Sequence, residues 1–89
     1  MIPANIQSIF FFKDKYNLDS CIDYLIKNNL DNYKRVNEDR FYYRYTYQSR
    51  IKLQNKNYMK QVHYIDNGNI KIEYYIKPQI IYDFVINLN

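Results

Sequence analysis

The dipeptide Asn67-Gly68 stands between two runs rich in strand-forming residues, Val62 to Ile65 and Ile70 to Ile76. Asn and Gly tolerate the positive φ angles of a tight turn better than other residues, so this segment predicts a β-hairpin. Gly68 is also the only glycine among 89 residues. With its one glycine committed to that hairpin, the chain has no glycine-rich loop to cradle a phosphate.

The rest of the chain supports a small α+β domain. Ile6 to Phe12 carries Ile6, Phe10 and Phe12 on one face and Ile9 and Phe11 on the other. Apolar residues on both faces predict a strand inside the sheet, covered on both sides. Leu18, Cys21, Ile22, Leu25 and Ile26 then fall on one helical stripe, with Asn17 as N-cap, Asp19 and Asp23 in the early turns, and Asn28-Asn29 to end a helix over 18–28. Next come a strand over 33–36, a polar turn at Asn37-Glu38-Asp39, and a second strand over 40–47. In that strand Phe41, Tyr43, Tyr45 and Tyr47 alternate with Arg40, Tyr42, Arg44 and Thr46. If the helix covers the first set, Arg and Tyr are displayed outside. Gln48 to Asn57 reads as a polar, basic loop.

The predicted architecture is thus β-α-β-β-β-β, an antiparallel or mixed sheet with one helix on one face. Residues 1–77 form the domain and 78–89 an apolar C-terminal segment beyond Pro78. Ile80, Tyr82, Phe84, Ile86 and Leu88 alternate like a strand, while Ile80, Ile81, Phe84, Val85 and Leu88 fit a helix equally well. One helix covers only one face of such a sheet. The second face therefore calls for the tail or another subunit, which predicts a homo-oligomer, in the simplest case a dimer.

No run of about 18 apolar residues is present, so neither a membrane span nor a signal peptide is expected. A single cysteine excludes an internal disulfide framework. Together these predict a soluble intracellular protein. Asn, Ile, Lys and Tyr make up about half of the chain, a bias toward AT-rich codons and hence toward an AT-rich genome.

The order Ile6-Gln7-Ser8-Ile9-Phe10-Phe11, Lys13-Asp14-Lys15-Tyr16, a helix, Tyr33-Lys34-Arg35-Val36-Asn37-Glu38 and Tyr42-Tyr43-Arg44-Tyr45 resembles a small uncharacterised domain of tailed phages and large DNA viruses. In phages, similar segments are associated with head and head-maturation polypeptides. In large eukaryotic viruses they are short stand-alone proteins. The resemblance covers about residues 6–76, with Tyr16 where that family commonly has Trp and Thr46 where it commonly has Arg. It implies a viral protein, placed in the host cytoplasm or the virion, and supplies no catalytic residues to transfer.

Charge is segregated along the chain. Tyr33 to Lys60 holds eight cations against two carboxylates, a local net charge of +6, while the remainder nets −2 to give the overall +4. Such a field attracts phosphate backbones, and tyrosine beside arginine on one strand face suits single-strand stacking. The candidate nucleic-acid contacts are Arg35, Arg40, Tyr42, Arg44, Arg50, Lys52 and Lys56. Equally, alternating Tyr and Arg can simply solvate an exposed sheet face. An RNA-recognition motif is a poor match, because its glycines and second helix are missing.

Catalytic chemistry has little to work with. His63, the single histidine, alternates in phase with Ile65 and is expected to be a packed structural residue. Cys21 sits on the apolar stripe, where a buried thiol is inert. Asp31, Glu38 and Asp39 read as solvated turn carboxylates, and neither a metal site nor a cofactor is expected. The resulting expectation is a non-enzymatic viral protein acting as a protein-interaction or assembly module, through the tail and the open sheet face. The alternative is a sequence-tolerant nucleic-acid binder. No membrane partner is foreseen.

Overall fold

The computed structural model describes residues 5–48 and 58–76. Its elements are β1 (Ile6–Phe12), α1 (Leu18–Lys27), β2 (Arg35–Glu38), β3 (Tyr42–Thr46), β4 (Met59–Ile65) and β5 (Ile70–Ile76). The strands form one sheet in the order β2-β3-β1-β5-β4, antiparallel at every step. The chain is a small α+β domain with its most apolar strand at the centre.

α1 is fixed at both ends by asparagine. Asn17 Oδ1 accepts from the Ser20 N–H at 2.9 Å, and Ser20 Oγ accepts from the Asn17 N–H at 2.9 Å, closing a capping box. A cap of this kind is worth about 1 kcal/mol. The helix ends at Asn28, and Asn29 takes the left-handed conformation with φ +56°. Only Cys21 and Leu25 of the apolar stripe are fully buried, with Ile22 partly buried; Leu18 and Ile26 are exposed. At 3.6 residues per turn, Ile26 lies about 120° from the midpoint of Cys21 and Leu25, too far round to reach the sheet.

Cys21 and Leu25 pack with Ile9, Phe11, Tyr45, Ile70 and Ile72. Phe11 is the hub, meeting Tyr16, Tyr24 and Tyr45 edge to face with ring centroids 5.2, 5.6 and 5.5 Å away. Each such pair adds about 0.5–1.5 kcal/mol beyond the area it buries. Tyrosine is therefore core material here, as Tyr45 and Tyr47 also show.

The second hairpin turn is the expected one, at Asn67-Gly68 between Ile65 and Ile70, whereas the first differs from expectation in detail. Asn37 and Glu38 continue β2, and the chain reverses over Asp39, Arg40 and Phe41 instead. The cause is Asp39, whose Oδ1 accepts from the N–H groups of Phe41 (2.7 Å) and Tyr42 (3.0 Å). Those bonds hold its carboxyl below the usual carboxylate range. Phe41 consequently lies in the turn, exposed, instead of facing the core. In the second hairpin Ile65 pairs with Ile70, so the loop comprises four residues. Asp66, Asn67 and Gly68 all have positive φ, at 53°, 55° and 83°. Bonds from the Gly68 N–H to the Ile65 carbonyl and from the Asn69 N–H to the Asp66 carbonyl brace them. Asp66 is tied to the start of the helical segment by Tyr16 and Lys15.

An irregularity in β1 alters its two faces. Ile6 opposes Tyr74 and Ser8 opposes Glu73, so Gln7 is an extra residue in the ladder. A bulge of this kind breaks the simple alternation. Ile6 joins Ile9 and Phe11 in the core under α1 rather than Phe10 and Phe12, and Gln7 turns to the other face beside Ser8.

Candidate functional site

The sheet face turned away from α1 carries the predicted Arg and Tyr residues. Cross-strand pairing arranges it in rows: Arg35, Thr46, Ser8, Glu73 and Val62 in one, Asn37, Arg44, Phe10, Lys71 and Tyr64 in the next. Gln7, Ser8, Thr46 and Glu73, the buried polar side chains among the described residues, all lie here. Buried polar groups need partners, and the bulge supplies some of them. Arg44 Nε donates to Ser8 Oγ at 3.0 Å and Arg44 Nη2 to Gln7 Oε1 at 3.2 Å, while Ser8 Oγ donates to Gln7 Oε1 at 2.7 Å. Glu73 Oε2 pairs with Lys60 Nζ at 3.1 Å. Thr46 Oγ1, Glu73 Oε1 and Tyr75 Oη are buried with no partner among the described residues.

This geometry keeps Arg35, Tyr42 and Arg44 on one face but engages the latter two. Arg44, expected to be displayed to solvent, is instead tethered to β1, with its guanidinium 5.1 Å from the Phe10 ring centroid. Lys71 lies 4.1 Å from the same ring centroid. Tyr42 packs at right angles to Phe10 and Phe12, at 4.9 and 6.1 Å. The nearby Asp39 carboxylate raises the pKa of its hydroxyl. Arg35 is exposed on β2, and Arg40 is exposed in the turn, 5.4 Å from the centroid of the Phe41 ring. Arg50, Lys52 and Lys56 lie outside the described residues, as do Ile80, Tyr82, Phe84, Ile86 and Leu88.

The catalytic candidates are placed apart. Cys21 is fully buried, and burial pushes its thiol up to about 11, away from the thiolate form. His63 is exposed, not packed. It pairs with Ile72 and so shares the face of α1, but β4 is the outermost strand and α1 does not extend over it. Ser8, on the opposite face, has its hydroxyl engaged by Arg44 and Gln7. Among the described residues no three His, Cys, Asp or Glu side chains are grouped to hold a metal ion, and no helix is long and apolar enough to cross a membrane.

The two sheet edges contrast sharply in chemistry. β2 has four residues, Arg35 to Glu38, three of them polar or charged, and its end is tied down by the Lys13–Glu38 ion pair. A short charged edge resists pairing with another chain. β4 has seven residues, Met59 to Ile65, with no proline, glycine or bulge and a single charge, Lys60. Met59, Val62 and Tyr64 are 41%, 45% and 58% exposed. Along its outer side the backbone N–H and C=O groups have no strand partner among the described residues. An edge of that length and composition is a ready template for a further strand. The sequence reading missed Met59, Val62 and Tyr64, because edge status depends on β5 pairing with β1. The available local signal was a seven-residue β run containing one charge. No family model, curated protein or solved structure matches the chain.

Proposed function

We propose that the protein is a non-enzymatic protein-interaction module that binds by adding a strand to the outer edge of β4. The observation that carries this reading is the seven-residue edge itself, unpaired among the described residues and exposing Met59, Val62 and Tyr64. Main-chain hydrogen bonds along such an edge provide affinity, and the alternating side chains provide selectivity. The resemblance of residues 6–76 to the phage and large-virus domain favours a viral assembly setting for this module. To test the reading, tagged wild-type chain and a Met59→Lys/Tyr64→Lys variant are compared for partner capture from a host extract. Partners retained by the wild type and by Arg35→Ala/Arg40→Ala, yet lost from the β4 variant, support it. Equal capture by both β4 forms overturns it.

Nucleic-acid binding is the second reading. Arg35, Arg44, Lys60 and Lys71 on the open face are opposed there by one carboxylate, Glu73. It predicts oligonucleotide affinity that falls steeply with salt, read by fluorescence anisotropy. The engagement of Arg44 by Gln7 and Ser8, and of Lys60 by Glu73, ranks it below strand addition.

A further inference from the structure

Resting on the strand-addition reading, we infer that the partner at this edge is a second copy of the same chain, with β4 pairing antiparallel to its own copy about a two-fold axis at Val62. The argument is one of register. Two-fold pairing of β4 brings Met59 opposite Ile65, Lys60 opposite Tyr64, Gln61 opposite His63, and Val62 opposite itself. All seven residues of the strand are then paired, and every opposing pair is compatible.

Opposed residues of an antiparallel pair lie on the same face of the sheet. On the open face, the two Val62 side chains bury each other and Lys60 meets the ring of Tyr64 from the other copy, a cation and an aromatic face. On the helix face, Gln61 and His63 can exchange a hydrogen bond, while Met59 covers Ile65. Lys60 is the strand's one charge, and it falls opposite a neutral ring, so no like charges are juxtaposed. The exposed apolar side chains Met59, Val62 and Tyr64 are the ones this pairing removes from water.

The same symmetry gives the test, since a residue opposed to itself cannot tolerate a charge. Val62 is nearly half exposed but opposes Glu73 on β5, so circular dichroism and thermal melting establish for Val62→Lys and Val62→Glu that each is folded before its association is compared. Sedimentation velocity over a micromolar concentration series is then run on the wild type, on each variant and on their equimolar mixture. The expected result is a wild-type dimer, each variant weakened about tenfold or more by like-charge apposition, and a dimer restored in the mixture. A wild type that stays monomeric overturns the inference, as do variants that associate like the wild type. Monomeric variants whose mixture fails to associate overturn the register at Val62. Loss of the dimer alongside retained β4-dependent capture removes only the self-pairing, whereas loss of both removes the strand-addition reading as well.

Discussion

Arg44→Ala separates a structural arginine from a ligand-binding one. The Arg44 side chain donates from Nε to Ser8 Oγ and from Nη2 to Gln7 Oε1, and it rests against Phe10. Hydrogen bonds from a charged donor contribute about 1.5–3 kcal/mol each, and partial exposure of Arg44 puts these at the lower end. Ser8 and Gln7 retain the bond between them, so neither is stranded outright. The expected destabilisation is therefore about 2–3 kcal/mol. In a domain of this size each kcal/mol lowers Tm by about 4–8 °C, so the variant should melt roughly 8–24 °C below the wild type. Arg44→Lys keeps the charge but lacks the planar fork and should recover no more than half of the loss. Arg40→Ala, in an exposed turn, should stay within about 0.5 kcal/mol of the wild type. Urea and thermal unfolding followed by circular dichroism provide the numbers, and a double-mutant cycle with Ser8→Ala isolates the coupling. Arg44→Ala indistinguishable in stability from Arg40→Ala would refute the reasoning and return Arg44 to the list of free cations.

Three other outcomes follow from the core and the turns. Leu25→Ala, at a fully buried position against Phe11 and Ile72, should cost about 2–5 kcal/mol in urea unfolding. Cys21, buried with its pKa pushed up to about 11, should react with a thiol reagent at neutral pH only after denaturation. Asp66 has its carboxyl pKa lowered by hydrogen bonds from Tyr16 and then Lys15. Its contribution is thus present above its unfolded pKa of about 4 and lost as pH falls through the lower folded value. Asp66→Asn, which keeps a residue tolerant of positive φ, should reduce the stability lost as pH falls below about 4.

Local chemistry made much of the fold legible. The N-cap at Asn17, the positive-φ residues around Gly68 and the doubly apolar β1 all declare themselves within a few residues, because turns, caps and periodicity are set by near neighbours. What escaped is governed by distant ones. The bulge at Gln7 exists through pairing with Tyr74 and Glu73; it moved Ile6 into the core and gave Arg44 its anchors. Asp39 displaced the first turn by bonding ahead to Phe41 and Tyr42, a competition that strand propensity alone does not register. The exposure of His63 and the edge position of β4 follow from strand order, which pairs β5 with β1 across about sixty residues of sequence and which no window of sequence contains.

Hydrogen exchange of the β4 amides as a function of protein concentration tests most directly the strand-addition account in its self-pairing form. In an antiparallel ladder alternate N–H groups of Met59 to Ile65 bond to β5, and the intervening ones point outward. At high dilution the outward set should exchange rapidly; as concentration rises into the micromolar range it should become protected, with the amides of β3, which is flanked by β1 and β2, unchanged. Outward β4 amides that exchange at the same rate across the whole series, with concentration-dependent protection confined to another strand, would contradict it.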